Sequence, residues 1–190
     1  MPGAIRCAYN INLMSFRGLA GILLVLCTIG AAHADSMSQA QPMLDLASLP
    51  PVDRVVVRKS ERLLALMHGG NIVRAYHVAL GLNPDGQKQR SGDFRTPEGS
   101  YHLDRRNPRS DYFLSIKVSY PNPEDLRRAH RRHWDTGGSI MIHGLPNILR
   151  HDPDFYLSHD WTDGCIAVSN ADMLEIWLLT PDDVPIDILP

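Results

Sequence analysis

The sequence predicts a mostly β domain, a β-sandwich or open barrel with one or two packed helices. Short apolar runs rich in β-branched residues recur between clusters of Gly, Pro, Asn and Asp. Two of those runs flank a Gly-Gly turn, and only two segments carry helix start and stop signals. Short, evenly spaced strands with two helices to cover them suit one β-rich layer arrangement around a single core.

The elements follow in order. Val55-Val56-Val57 opens the strands, then Leu63 to Met67, the turn His68-Gly69-Gly70-Asn71 and Ile72 to Leu80, which together read as a hairpin. Gly81 to Gly99 is crowded with turn formers and too long for an idle connection, so a shaped loop is expected. Further strands are expected at Tyr101 to Leu103, Phe113 to Ser119, Ile140 to His143, Cys165 to Val168 and Val184 to Leu189. One helix starts at Pro123, with Glu124 and Asp125 favourable at its amino end and Arg127 to Arg132 at its carboxyl end. The other is capped by Asn170 and stopped by Pro181. No internal repeat is visible.

The amino terminus reads as a secretion signal over residues 1–34. Arg17 precedes an apolar run from Gly18 to Ala32, about 15 residues against the roughly 20 needed to span a bilayer, and Ala32-His33-Ala34 is a small-residue cleavage pattern. The stretch MPGAIRCAYNINL is unusual for a signal, which makes Met14 an alternative start. An uncleaved anchor is the competing reading. Residues 35–50 are polar and Pro-bearing, a flexible lead-in, and 51–190 form one domain, expected to act as a monomer. Removing 34 of 190 residues leaves 156, enough for a hydrophobic core. The segment takes Arg6 and Arg17 with it, so 17 basic residues face 21 acidic ones, net −4. That charge suggests no nucleic-acid partner.

Cys7 and Cys27 leave with the signal, and Cys165 remains alone. An unpaired thiol in an oxidising compartment is either buried and inert or reactive and used. Its surroundings favour use. Ile142-His143-Gly144 ends one apolar strand and Gly164-Cys165 begins another, 22 positions later. Parallel neighbours joined by a crossover of that length bring imidazole and thiol together. The chemistry such a pair serves is nucleophilic acyl transfer, with an imidazolium expected to shift the thiol toward thiolate. Gly164 lets successive backbone N–H groups, its own and that of Cys165, point at a developing oxyanion. A carbonyl at Gly144 could orient the imidazole.

The order His-Gly, loop, Ser/Thr-x-Gly-Cys and an apolar residue resembles the signature of the L,D-transpeptidase catalytic domain, the YkuD-like family. Gly92-Asp93-Phe94-Arg95-Thr96-Pro97-Glu98-Gly99-Ser100-Tyr101 looks like a second family block, Gly-x-x-x-Thr-Pro-x-Gly-x-Tyr. The resemblance covers roughly Val52 to Pro190. It implies a fold peculiar to that family and, as substrate, peptidoglycan stem peptides attacked after the L-centre of a diamino-acid third residue. The thioester would pass to an amine, giving a cross-link or attachment of a wall protein, or to water, giving carboxypeptidase, endopeptidase or amidase activity. Carried over, Cys165 is the nucleophile, His143 the base, Gly144 the orienting carbonyl, and Gly164 and Cys165 the oxyanion donors. Thr162 takes the Ser/Thr position, and Thr162, Asp163, Trp161 and Tyr112 are the expected substrate-binding residues. A periplasmic or otherwise exported location and a role in cell-wall biogenesis and cell shape follow from the same resemblance.

Two positions depart from the pattern. Asp163 stands where many members carry His, and Ala167 where many carry Arg or Asn. Asp163 is expected to accept hydrogen bonds that stiffen the cysteine loop and to face a cationic amine of the substrate. Trp161 also reads as packing beneath the loop, and Tyr112 and Phe113 as strand core with Tyr112 bordering the cleft. His130, His133, His151 and His159 raise a zinc reading with His143 or Cys165, but their spacing matches no ordinary zinc motif. A solvated basic face accounts for them, and neither metal nor cofactor is expected. The basic stretch from Arg105 to Arg132 reads as plain surface, with anionic wall polymers as the alternative contact. A cysteine peptidase of unrelated fold has no use for the Thr-Pro-x-Gly block, and an idle wall-binding module has none for His143 and Cys165.

Overall fold

Val55 and Val57 are fully buried on a strand whose other positions are exposed or half-buried, the period-two signature of one face on a core. In the computed structural model, which describes residues 48–190, the chain forms eight strands and three helices. The leader expected over 1–34 and the lead-in up to residue 47 lie outside the described residues. In chain order the elements are β1 (Arg54–Arg58), β2 (Leu63–His68), β3 (Asn71–His77), β4 (Gly99–Ser110) and β5 (Phe113–Val118), then α1 (Pro123–His130) and β6 (Met141–His143). Then come α2 (Pro153–Ser158), β7 (Ile166–Ala167), α3 (Asn170–Leu179) and β8 (Val184–Leu189).

The strands join in one sheet of order β3-β2-β1-β8-β4-β5-β6-β7. Most neighbours are antiparallel; β1 with β8 and β6 with β7 are parallel. The β2–β3 hairpin turns on Gly69 and Gly70, both left-handed with φ of 54° and 83°, as a two-residue turn that follows the strand twist requires. β3 ends at His77, short of the expected Leu80, because the chain then leaves β2 and crosses to the other end of the sheet. There Ala79 exchanges two backbone hydrogen bonds of 2.8 Å with Ala167, and Thr162 N–H donates to Leu80 O at 3.1 Å. That segment joins the two edges of the sheet, giving the open-barrel form of the expected fold.

Side chains from every long strand meet inside, with Leu64, Leu66, Ile116, Ile142, Ile166 and Ile186 among those fully buried. Met173 and Ile176 of α3 join that core, with α3 against β5. α1 begins as expected: Asn122 Oδ1 accepts from Glu124 and Asp125 N–H, and Asp125 accepts in return from Asn122 N–H. The α3 cap is Ser169, one residue earlier than expected; Asn170 instead turns its Oδ1 to Leu145 N–H at 2.8 Å. The short helix α2 was not foreseen, although Asp152-Pro153 carries its cap and first turn. β4 runs well past Leu103, through Arg105-Arg106-Asn107-Pro108, because pairing with β5 supplies hydrogen bonds that its polar sequence does not advertise.

The long loop after β3 is held from beneath by two buried lysines. Lys59, 2 % exposed, donates to Gly86 O, Thr96 O and Glu98 Oε1. Lys88 pairs with Asp93 at 2.7 Å, and Asp93 also accepts from Gln89, Arg90 and Arg95 N–H. Thr96, fully buried, accepts from Gly81 N–H at 3.1 Å. Lys59→Ala is expected to lower stability by about 3 kcal/mol in urea unfolding, since it leaves Glu98 and two carbonyls without their partner.

Candidate active site

The site rests on β6 and β7. Their parallel register sets Ile142 opposite Ile166 and His143 opposite Ala167, with the thiol-bearing Cys165 one residue before β7. His143 is fixed on both sides: its carbonyl accepts from Val168 N–H at 3.0 Å, and the next N–H, of Gly144, donates to Tyr112 O and Leu114 O. His143 Nδ1–H donates to Gly144 O at 2.7 Å, which leaves Nε2 as the free, basic nitrogen. Gly144 has no room for a side chain, because a Cβ would lie 2.5 Å from Asn170 Oδ1. The thiol is held by Ser139 O, which accepts from Sγ at 3.5 Å.

His143, Cys165, Tyr112, Trp161, Thr162 and Asp163 all line one cleft of about 480 Å3, closed on its far side by Gly138 to Met141. The ring of Tyr112 lies 4.6 Å from that of His143, and Trp161 lies 5.6 Å from it. Tyr112 is not strand core: it sits in the turn between β4 and β5, 40 % exposed. Trp161 is half-buried and anchored by Nε1–H to Tyr156 O at 3.1 Å, so it both packs and borders the cleft.

Three expectations change at atomic detail. Thr162 is buried, and its hydroxyl donates to Cys165 O at 2.8 Å while accepting from Gly164 N–H at 3.1 Å. It buckles the cysteine loop, spending the hydroxyl's one proton on the loop and leaving no donor for substrate. For the same reason Gly164 N–H is engaged and does not point at an oxyanion; its glycine is needed because φ is 130° and a Cβ would lie 2.5 Å from Arg95 O. Asp163 is exposed and its carboxylate accepts no hydrogen bond among the described residues, so the loop is stiffened by Thr162 instead.

The fourth change is electrostatic. Burial pushes the His143 imidazolium pKa down from 6.5 to about 4, with the Gly144 carbonyl opposing. Burial also pushes the Cys165 thiol up; the Met141 N–H and Lys88 oppose it and the Asp163 charge adds to it. Each charged form loses hydration that its neighbours do not replace. Both shifts favour the neutral thiol and neutral imidazole over the thiolate and imidazolium expected from adjacency alone.

Two measurements test this picture. Thr162→Val is expected to cost about 2 kcal/mol in urea unfolding, because Gly164 N–H is left buried without an acceptor, whereas Thr162→Ser costs less than half as much. For His143, whose folded pKa of about 4 lies below the unfolded 6.5, the unfolded chain binds the proton first as pH falls. Stability should thus be full above pH 6.5 and decline by about 3 kcal/mol on the way to pH 4. His143→Gln should flatten that decline in unfolding curves taken across the interval.

The sequence model of the L,D-transpeptidase catalytic domain (YkuD) matches residues 52–188. YafK of Escherichia coli strain K12, whose own assignment as an L,D-transpeptidase is provisional, is 43% identical over 137 residues, covering 66% of this chain and 53% of that protein. The chain thus spans about half the length of the curated relatives it matches. Among solved structures, the helical cell shape determining protein Pgp2 of Campylobacter jejuni superposes with a TM-score of 0.54 at 28% identity, over 72% of this chain and 47% of that one. Bd1075 of Bdellovibrio bacteriovorus superposes with a TM-score of 0.50 at 25% identity, over 75% and 49%. The family match spans most of the chain and the two motif blocks agree with it: this chain belongs to the L,D-transpeptidase catalytic-domain family.

Proposed function

We propose that the protein is an exported, periplasmic cysteine acyltransferase that acts as a monomer on peptidoglycan stem peptides. The observation that carries this reading is His143 and Cys165 sharing one cleft, the imidazole neutral and its Nδ1–H fixed by Gly144 O. A neutral imidazole can take a proton, as a general base must.

In this mechanism Sγ attacks the stem carbonyl after the third residue while its proton moves to His143 Nε2. The Gly144 carbonyl accepts from Nδ1–H and stabilises the imidazolium as it forms. The oxyanion receives the Cys165 N–H, since Gly164 N–H belongs to Thr162. Collapse of the tetrahedral species breaks the C–N bond, and His143 returns the proton to the leaving amine. The thioester then passes to an amine, on a second stem or a wall-attached protein, with His143 again accepting the proton. Asp163, exposed on the cleft, supplies the counter-charge for a substrate ammonium group. The half-exposed position of Cys165 favours water as a second acceptor, which yields hydrolysis of the same bond.

Incubating residues 35–190 with defined muropeptides and weighing the products tests this reading: dimers report transfer, tripeptides report hydrolysis. Cys165→Ala should abolish both, and His143→Gln should slow them about 1000-fold. Retained turnover in Cys165→Ala would overturn the proposal.

A further inference from the structure

A second cleft, of about 650 Å3, adjoins the catalytic one. Tyr112 and Trp161 are lined up on both, forming a common wall, and beyond it stand Arg150, His151, Asp111 and Phe155. The two clefts differ in charge. Asp163 is the one formal charge on the catalytic lining, whereas the second carries a guanidinium, a protonatable imidazole and the Asp111 carboxylate.

Arg150 is exposed, and among the described residues its guanidinium makes no ion pair or hydrogen bond. Its backbone, in contrast, is anchored. Arg150 N–H donates to Tyr156 Oη at 2.9 Å, Tyr156 is buried, and the Tyr156 ring packs 5.0 Å from Trp161, itself 5.6 Å from His143. A free five-donor fork thus stands on a fixed mount, two ring spacings from the base. Because Tyr112 and Trp161 line both clefts, a group released at Cys165 passes from the catalytic cleft directly into the one that Arg150 lines.

We infer that Arg150 receives the free α-carboxylate of the amino acid released when Cys165 attacks, making the second cleft the leaving-group subsite. This rests on the stem-peptide reading above. The planar guanidinium matches a carboxylate through two parallel hydrogen bonds. The one proton that His143 returns releases the amino acid as a free amine with its α-carboxylate; a second proton, taken up from solvent, makes the ammonium, for which Asp111, on the turn that carries Tyr112, supplies the opposite charge. The catalytic lining offers no cation for the carboxylate, and its one acid suits the ammonium of the diamino-acid residue that stays on sulfur.

The test compares a tetrapeptide stem ending in a free carboxylate with the same stem ending in a carboxamide. Wild type should prefer the acid by about tenfold in kcat/KM. Arg150→Gln should remove that preference, chiefly by raising KM for the acid, with the amide unchanged, and Arg150→Lys should recover part of it. Because Arg150 is exposed and unpaired, the variants should melt with the wild type. Equal wild-type turnover of acid and amide, or an acid preference that survives in Arg150→Gln, would overturn the subsite while leaving the stem-peptide reading intact. Turnover of neither peptide by wild type overturns both.

Discussion

The parallel pairing of β6 with β7 is the constraint on which the rest of the structure depends. Parallel neighbours cannot be joined by a tight turn, so a long crossover must leave β6 at one end of the sheet and re-enter β7 from the opposite end. Here that crossover contains Gly144, α2, Trp161 and the Thr162 buckle, and it supplies walls for both clefts. The two strands are very short. What fixes their register is reinforcement from outside: Ala79 on the far side of β7, Ser115 to Lys117 on the far side of β6, and the Val168 N–H to His143 O bond between them. A catalytic pair on two short strands is thus as rigid as the barrel around it.

Burial accounts for both the position and the protonation of the pair. Packing His143 until it is 4 % exposed removes the water that would stabilise an imidazolium, while one well-aligned carbonyl selects its tautomer. Partial burial at the cleft wall likewise favours the protonated thiol. In the mechanism proposed above, charge appears only as the carbonyl is attacked, when the oxyanion and imidazolium arise together and stabilise one another. Such a mechanism places the electrostatic gain in the transition state and not in the resting state, where it would accelerate the proposed reaction.

Much of this was legible in the sequence where pattern and chemistry agree. The β2–β3 hairpin read from two apolar runs around Gly69-Gly70, and the His-Gly and Gly-Cys segments read as strand ends that meet. Family membership followed from Thr96-Pro97 and Thr162-Asp163-Gly164-Cys165 together. What failed did so for physical reasons. β4 beyond Leu103 is polar on both faces and takes its strand form from pairing with β5, which local pattern does not encode. Asp152-Pro153 announced α2, yet a six-residue helix inside a loop gives no periodicity to support the signal. Thr162 and Asp163 exchanged roles because adjacency in sequence says nothing about which side chain turns inward. Burial of His143, and so its neutrality, depends on what packs over it from the turn between β4 and β5. Ala167 is also a matter of packing: buried in a strand and bonded on both sides to Ala79, that position faces the barrel's pairing surfaces and not the cleft.

The protonated state of Cys165 also bears on the survival of a lone thiol. Peroxides and disulfides react with thiolates, so a sulfur held as S–H against Ser139 O offers them little to attack. With no second cysteine among the described residues, nothing in the fold could resolve a sulfenic acid or a mixed disulfide once formed. On the proposed mechanism, deferring ionisation until a carbonyl is in place would shield Cys165 from oxidation that the described residues hold no second thiol to reverse.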